Sequence, residues 1–287
     1  MNILIIGGTG YLGSKITREL VNLGHEVVCT KRDNSSIERN KDVLEKINWI
    51  PASIEGIKLA CQLWEFQCVI NLACAYGNKL DQYEDILNAN IIFPLQVLNI
   101  ISNCGIKKFI TIDTGLPDNV NMYSFSKKSF GKFGEFFSEH HNMTFICLKL
   151  EMFYGADEPI SRFIPSLIRK MIDGELVETT IGTQRRDIIC VDDVIKAILI
   201  VFNSELKGFN SISVGTGIAP TISEIVDYVW EITGRKSKVL KGAIPLRPNE
   251  VDCTADNQML ESLGDWNPTY WKDGIRKMIL DIEETCF

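Results

Sequence analysis

Ile3-Leu4-Ile5-Ile6, running into Gly7-Gly8-Thr9-Gly10-Tyr11-Leu12-Gly13, decides the fold. Four consecutive apolar residues read as a strand buried on both faces, and the amphipathic stretch 11–23 that follows reads as a helix. Between them each spaced glycine has a separate use. Gly7 permits the tight turn, Gly10 lets backbone N–H groups approach a pyrophosphate, and Gly13 allows the helix to pack closely. The helix start at Tyr11 and Leu12 adds the positive end of a dipole, which stabilises negative charge. Strand, glycine turn and helix in this order predict the first βαβ unit of a dinucleotide-binding sheet.

The same rhythm continues outward. Short apolar runs at 27–30, 68–72, 109–112 and 145–150 alternate with amphipathic stretches at 55–64, 81–102 and 123–140, long enough to be crossover helices. This predicts an α/β fold, a doubly wound parallel sheet. After Tyr154-Gly155 the elements shorten and Pro159, Pro165, Pro220, Pro245, Pro248 and Pro268 interrupt them. The expected organisation is a dinucleotide-binding Rossmann domain over 1–155 and a smaller substrate-binding lobe over 156–287. Residues 186–204 read as a strand and helix that return to the first domain.

Bulk properties narrow the function classes. A chain of 287 residues with 45% hydrophobic and 23% charged residues can bury a large core, and nothing in that balance suggests disorder or membrane residence. A net charge of -7 disfavours nucleic acid as a partner while leaving room for a local basic pocket. The nine cysteines, at 29, 61, 68, 74, 104, 147, 190, 253 and 286, contain no C-x-x-C pair, and the three histidines are poorly spaced for a metal site. No metal is expected. An odd cysteine count and Met1-Asn2 leading directly into a strand predict a protein of the reducing cytoplasm.

Two clusters carry the chemistry. The second strand ends in Lys31-Arg32, where an NAD site would place an acidic partner for the ribose hydroxyls. Two cations there suit a 2′-phosphate, with Arg32 capable of bidentate contact, so NADP is the expected cofactor; a solvated surface pair is the alternative. Tyr123-Ser124-Phe125-Ser126-Lys127 sets a phenol and an ammonium four residues apart at the start of a helix, hence on one face. An ammonium nearby favours the tyrosinate, so the phenol can exchange a proton with a carbonyl or alcohol oxygen. Thr114, ending the preceding strand, would donate a second hydrogen bond to that oxygen.

In order along the chain, Gly7-x-x-Gly10-x-x-Gly13, Asn71-Leu72-Ala73, Asn90, Thr114, Tyr123-x-x-x-Lys127, Tyr154-Gly155, Arg186-Asp187 and Arg247-Pro248 resemble the extended short-chain dehydrogenase/reductase family of nucleotide-sugar enzymes, also known as the NAD-dependent epimerase/dehydratase family. The likeness spans nearly the whole chain. Residues 149–155, Gln184-Arg185-Arg186-Asp187 and Gly115-Leu116-Pro117 look closest to its CDP-paratose and CDP-abequose synthase branch. The resemblance implies that Thr114, Tyr123 and Lys127 are catalytic and that Ala73 and Asn90 lie along the cofactor. It also implies that Arg186 and Arg247 hold the phosphates of a nucleotide-diphosphate sugar, CDP- or dTDP-linked, unless they are structural ion pairs. Tyr154 is expected beside that substrate. Ser53, where relatives often carry an adenine-contacting Asp, is expected with Ile54 beside the cofactor.

Departures from the family pattern narrow the reaction. Related sugar 4,6-dehydratases carry an Asp-Glu pair after the strand-end Thr, whereas Gly115-Leu116 follow Thr114. The Cys and His pair of related fucose-type epimerase-reductases is not visible either. NADPH-dependent reduction of the 4-keto group of a nucleotide-linked 4-keto-6-deoxy or 3,6-dideoxy hexose is therefore favoured, supplying a deoxysugar for cell-surface polysaccharide such as O-antigen. An NAD(P)-dependent 4-epimerase and a non-catalytic NADP-binding sensor are the alternatives. Met152 stands where many members have a sugar-facing Asn, so Glu151 would supply a substitute hydrogen bond or bridge locally. Finally, 86–101 and 130–137 hold more apolar residues than one buried helical face needs. Phe130, Phe133 and Phe137 form one stripe, with Phe136 off it. Members of the resembled family often pair these helices in a four-helix bundle, so a homodimer is expected.

Overall fold

The computed structural model describes residues 1–77 and 82–285; Asp81, where the third expected helix begins, and Cys286 lie outside the described residues. In chain order the first elements are β1 (Asn2–Ile6), α1 (Tyr11–Asn22), β2 (Glu26–Lys31), β3 (Ile47–Pro51), α2 (Ile54–Leu63) and β4 (Cys68–Asn71). Next come α3 (Tyr83–Leu87), a π-helical turn (Asn88–Ile92), α4 (Phe93–Asn103), β5 (Lys108–Thr114), α5 (Met122–His141) and β6 (Thr144–Leu150). The remainder comprises β7 (Met152–Tyr154), α6 (Phe163–Ile172), β8 (Val177–Thr179), β9 (Ile188–Cys190), α7 (Val191–Asn203), β10 (Phe209–Val214), α8 (Ile222–Ile232), β11 (Val239–Lys241), α9 (Gln258–Leu263) and α10 (Trp271–Thr285).

Seven strands form one parallel sheet in the order β10-β6-β5-β4-β1-β2-β3, the doubly wound arrangement expected from the sequence. Its order reverses between β1 and β4, and in such sheets ligands bind outside the carboxyl ends of the strands at that reversal. All five expected strands are present, together with two edge strands, β3 and β10, that the apolar runs do not announce. The core on one face joins Leu4, Ile6, Val28 and Val69 to Val97, Leu98 and Ile101 of α4 and Phe130 of α5. By length and composition, Tyr83–Asn103 is apolar enough to cross a membrane. Here its Val97, Leu98 and Ile101 are fully buried against the sheet.

Helix α5 is held at a fixed height above the sheet. Phe130 is buried against Phe109 and Phe145, with ring centroids 6.2 and 5.8 Å apart. One turn later, a Cβ on Gly134 would fall 2.1 Å from the Phe145 ring, so only glycine lets the helix lie this close. The start of α5 is fixed by a reciprocal cap: Asn121 Oδ1 accepts from Ser124 N at 2.8 Å, and Ser124 Oγ accepts from Asn121 N at 3.2 Å.

The chain divides into two compact units, Met1–Lys149 with Val201–Ile212, and Leu150–Ile200 with Ser213–Phe287. The first unit thus ends at Lys149 rather than near Gly155. The returning segment also differs from the expected 186–204. β9 pairs with β7 in a separate two-stranded sheet, and it is Val201–Ile212 that rejoins the first unit.

In the second unit the fully buried Asp187 organises three segments. Its carboxylate accepts from Thr216 N at 2.8 Å, Thr216 Oγ1 at 2.7 Å, Gly217 N at 2.9 Å and Ala255 N at 3.2 Å. A Cβ on Gly215 would lie 2.4 Å from Asp187 Oδ2, so the loop before α8 is wrapped tightly around the charge. Beside β7, Glu158 is different: its Oε2 is buried without a hydrogen-bond partner among the described residues.

Burial pushes the Glu158 carboxyl up to about 7, against the smaller opposing pull of the Arg162 charge. A carboxyl with a raised folded pKa holds its proton longer in the folded than in the unfolded chain. Its contribution is therefore present below the unfolded value and lost as pH rises through about 7. Urea unfolding at pH 5 and pH 8 should show a loss on the order of 2 kcal/mol that is absent in Glu158→Gln, after allowing for partial exposure.

Candidate active site

The glycine turn separates into positions the protein needs for itself and one it does not. Gly7 turns the chain at φ 85°, and a Cβ there would meet Ala73 N at 2.8 Å. Ala73, in the segment after β4, is thus packed directly against the β1–α1 turn. Gly7 N also donates to the buried Thr30 Oγ1 at 3.2 Å, which ties the turn to β2. A Cβ on Gly13 would fall 2.0 Å from Gly7 O, and one on Gly8 2.6 Å from Cys29 Sγ. By contrast, a Cβ on Gly10 would meet only Gly7 O, at 3.4 Å, an ordinary contact. Packing therefore does not require glycine at Gly10, and the open space over it fits close approach by a phosphate group. Gly10 is the N-cap of α1 with no side-chain cap, and the first turn, from Tyr11 and Leu12, has no acidic residue. Its dipole is left for an external anion.

At the end of β2, Lys31 is half-buried and Arg32 exposed, and neither makes an ion pair or side-chain hydrogen bond among the described residues. Asp33, the next residue, makes no ion pair with either among the described residues. A further cation, Arg39, lies on the short turn Glu38–Asn40 with its guanidinium 5.5 Å from the Tyr11 ring, which Lys15 Nζ approaches at 5.3 Å. Arg18 anchors that turn, pairing with Asp42 and donating to Arg39 O at 2.7 Å. Sequence reasoning missed Arg39 because it lies seven residues beyond Arg32 with no periodicity linking them. Ser53 proves to be the N-cap of α2, its Oγ accepting from Gly56 N at 3.1 Å, and Ile54 begins that helix and packs on the core. Ser53 thus has a structural use as a helix cap.

Thr114 ends β5, while Tyr123 and Lys127 occupy the first turns of α5. Thr114 Oγ1 accepts from Leu116 N at 3.2 Å, so its own proton stays available to an external acceptor. The Tyr123 ring lies 5.1 Å from that of Tyr76, a neighbour the sequence did not suggest. Lys127 is 3% exposed, yet its ammonium has no hydrogen-bond or ion-pair partner among the described residues. The ammonium therefore has donors to offer to polar ligand oxygens such as ribose hydroxyls.

Asn90 has a structural task of its own. It sits in the π-helical turn, 1% exposed, and its amide is already used within the protein. Oδ1 accepts from Ala75 N at 2.8 Å, and Nδ2 donates to Ala75 O at 2.9 Å and Ser126 Oγ at 2.9 Å. Ser126 Oγ in turn donates to Tyr123 O at 2.8 Å. Asn90 therefore links the segment after β4 to the first turn of α5. π-Helical turns of this kind recur at functional sites.

In the second unit the expected substrate residues divide. Tyr154 is wholly buried in that unit's core and donates from its hydroxyl to Trp271 O at 3.2 Å, so it is a packing residue and not a ligand contact. Burial pushes its phenol far up, which removes it from proton chemistry. Arg186 is committed as a structural ion pair: Nη2 meets Glu250, and Nη1 donates to the carbonyls of Arg185 and Val251. Arg247 is exposed and makes no such contact among the described residues. Glu151 is half-buried at the end of β6, its N donating to Val214 O at 3.0 Å.

A family model described as the NAD dependent epimerase/dehydratase family matches residues 3–215. The CDP-abequose synthase of Salmonella typhimurium is 28% identical, covering 96% of this chain and 97% of its own. That of Salmonella muenchen is 27% identical, covering 96% of each. Among solved structures, the UDP-glucose 4-epimerase of Thermotoga maritima, crystallised with UDP-glucose, superimposes with a TM-score of 0.89 at 23% identity over 100% of both chains.

The glycines give a test of ligand approach against packing. Gly10→Ala should fold with near-normal stability yet raise the dinucleotide Kd about tenfold or more, because only the ligand side of the turn is obstructed. Gly13→Ala should lower stability by about 1–3 kcal/mol by forcing α1 off the Gly7 carbonyl. Calorimetry for binding and thermal unfolding for stability check the pair, and equal binding losses would contradict the separation.

Proposed function

This chain belongs to the NAD dependent epimerase/dehydratase family, and on that premise we propose that it reduces the 4-keto group of a nucleotide-linked 4-keto-6-deoxy or 3,6-dideoxy hexose with NADPH. The observation that carries the reading is the unpaired Lys31 and Arg32 at the end of β2. A 2′-phosphate is the charge they suit, and NADPH is the exchangeable reductant of the cytosolic pool. Full-length similarity to CDP-abequose synthases supports a CDP-linked deoxysugar and a role in O-antigen supply. A dTDP-linked sugar is the other donor class. A 4-epimerase is the second reading, favoured by the fold shared with a UDP-glucose 4-epimerase.

In this mechanism, bound NADPH supplies hydride to the keto carbon. The protein supplies the proton and the orientation. Tyr123 gives its phenolic proton to the developing alkoxide at the sugar oxygen, and the Lys127 ammonium stabilises the tyrosinate left behind while holding the nicotinamide ribose. The Thr114 hydroxyl, already accepting from Leu116 N, donates to the same oxygen and fixes its direction. Gly7, Gly10 and Gly13, with the Tyr11-Leu12 helix start, would hold the pyrophosphate, and Ala73, Asn90, Ser53 and Ile54 would lie along the cofactor. Arg247 is the cation proposed for the sugar-nucleotide diphosphate, and Glu151 is proposed to bond the sugar.

A homodimer fits the apolar residues left outside the core: Ile92 at 46%, Phe133 at 40% and Phe136 at 54% exposure on the α4 and α5 side. Phe130 and Phe137 pack inward instead. A four-helix bundle formed with the same helices of a second copy would cover that face. We assign the protein to the cytoplasm, where its eight described, unbridged thiols would stay reduced.

Mixing the protein with NADPH and CDP- or dTDP-4-keto-6-deoxyhexose should give stoichiometric loss of nicotinamide absorbance. An altered sugar with unchanged cofactor would identify an epimerase, and binding with neither change a sensor. Tyr123→Phe should keep the fold and NADPH affinity while lowering kcat by about 10²–10⁴-fold; near-normal turnover would refute the assigned role. Neutralising Lys31 and Arg32 together should raise the Kd of NADPH about tenfold or more and leave NADH nearly unchanged. Equal effects on both would remove the basis for NADPH.

A further inference from the structure

Strand β5 outruns its neighbour. The β4–β5 register ends at Asn71 opposite Thr111, whereas β5 continues to Thr114. Beyond that point the backbone is held by side chains. Asp113 Oδ1 accepts from Thr114 N at 2.7 Å, and Asp113 Oδ2 pairs with Lys128 Nζ at 2.9 Å. Lys128 Nζ also donates to the Thr114 carbonyl. Amide, carboxylate, ammonium and carbonyl thus close a ring around one residue.

We propose that Asp113 and Lys128 form a positioning pair that aims the Thr114 hydroxyl and locks it to the helix carrying Tyr123 and Lys127. The proposal rests on the reading that Thr114 donates a hydrogen bond to the reacting sugar oxygen. Both polar groups of the Thr114 backbone are held by this pair, which therefore constrains the direction of its side chain beyond the pairing of β5 with β6. The pair is not a screened surface bridge, since the side chains are only 6% and 23% exposed. Lys127 and Lys128, being consecutive in a helix, point about 100° apart. Lys128 reaches the strand end, and Lys127 therefore points to a different side of the helix. A single helical turn thereby ties all three reacting groups together, and misplacement by about 1 Å can cost on the order of 10²-fold in rate.

A depression of about 410 Å³, lined by Asp113, Lys128, Lys132, Cys147, Lys149 and Phe209, opens beside the ammonium and leaves room for a small amine to enter. This permits a rescue experiment. With the full-length protein, NADPH and the sugar that supports turnover, Lys128→Met is expected to lower kcat about 10–100-fold with little change in the KM for NADPH. Lys128→Arg, or methylammonium added to Lys128→Met, should restore most of the loss. In a Thr114→Val background, Lys128→Met should cost less than about twofold more, because the group it positions is gone. Equal losses in both backgrounds would mean a general structural role and overturn the proposal. A harmless Thr114→Val would instead refute the reading it rests on. Should an unpaired buried carboxylate unfold Lys128→Met, Asp113→Asn combined with Lys128→Met carries the same comparison. Amide hydrogen exchange decides the geometry without turnover: Lys128→Met should raise exchange at Thr114 and Leu116 about tenfold while Leu4 and Ile5 stay protected. Unchanged protection at Thr114 would sink the idea.

Discussion

The first unit depends on how closely α5 can lie on the sheet, and the limiting contact is Gly134 on the Phe145 ring. From that contact the helix runs back past Phe130, seated between Phe109 and Phe145, to Lys128, Lys127 and Tyr123. A helix has one rise per residue and one rotation per residue, so fixing its depth at two points fixes where those three side chains stand. The Asn121–Ser124 cap holds the other end, and Asn90 clamps the adjoining turn to the segment after β4. Apolar packing, a cap and a buried amide act on the same few residues. Preorganisation of this kind is what a proton donor needs, because its partners must already be in place when charge develops.

Much of this was legible in the sequence, for physical reasons. β1, β2, β4, β5 and β6 announce themselves because interior strands of a parallel sheet are apolar on both faces. β3 and β10 lie at the edges, carry polar residues such as Asn48 and Asn210, and so lose that signal. The glycine spacing and the Tyr123–Lys127 spacing are backbone and helix geometry written directly into residue identity. The clamp made by Asn90 is not legible, since nothing in Asn88-Ala89-Asn90 signals a π turn. Lys128 was passed over because a second lysine in a helix ordinarily reads as a solvated charge, and only the overhang of β5 reveals its target.

The second unit shows how adjacent polar residues can mislead. The family resemblance implies a phosphate-binding role for Arg186, with a structural ion pair as the alternative. In the fold Arg186 closes on Glu250, while Asp187 collects four hydrogen bonds from two loops. Asp193 likewise accepts from Thr269 N at 2.9 Å. These charges are compensated inside the protein, as buried charges must be. Tyr154 follows the same logic, for its hydroxyl is satisfied by Trp271 O. Lys31, Arg32, Lys127 and Arg247 differ from these groups in having no ion-pair or side-chain hydrogen-bond partner among the described residues.

The edge position of β10 also bears on how the chain is made. β6 pairs with β5 on one side and with β10 on the other, and 58 residues separate the end of β6 at Leu150 from the start of β10 at Phe209. While the polypeptide emerges from the ribosome, β6 therefore presents a bare hydrogen-bonding edge through the synthesis of that whole interval. An unpaired edge is a template for association with other chains. The nascent protein must pass through a stage in which five strands of its sheet have a neighbour on each required side and one waits for sequence not yet translated. Translation speed across that interval, rather than the stability of the finished sheet, sets how long the edge stays bare.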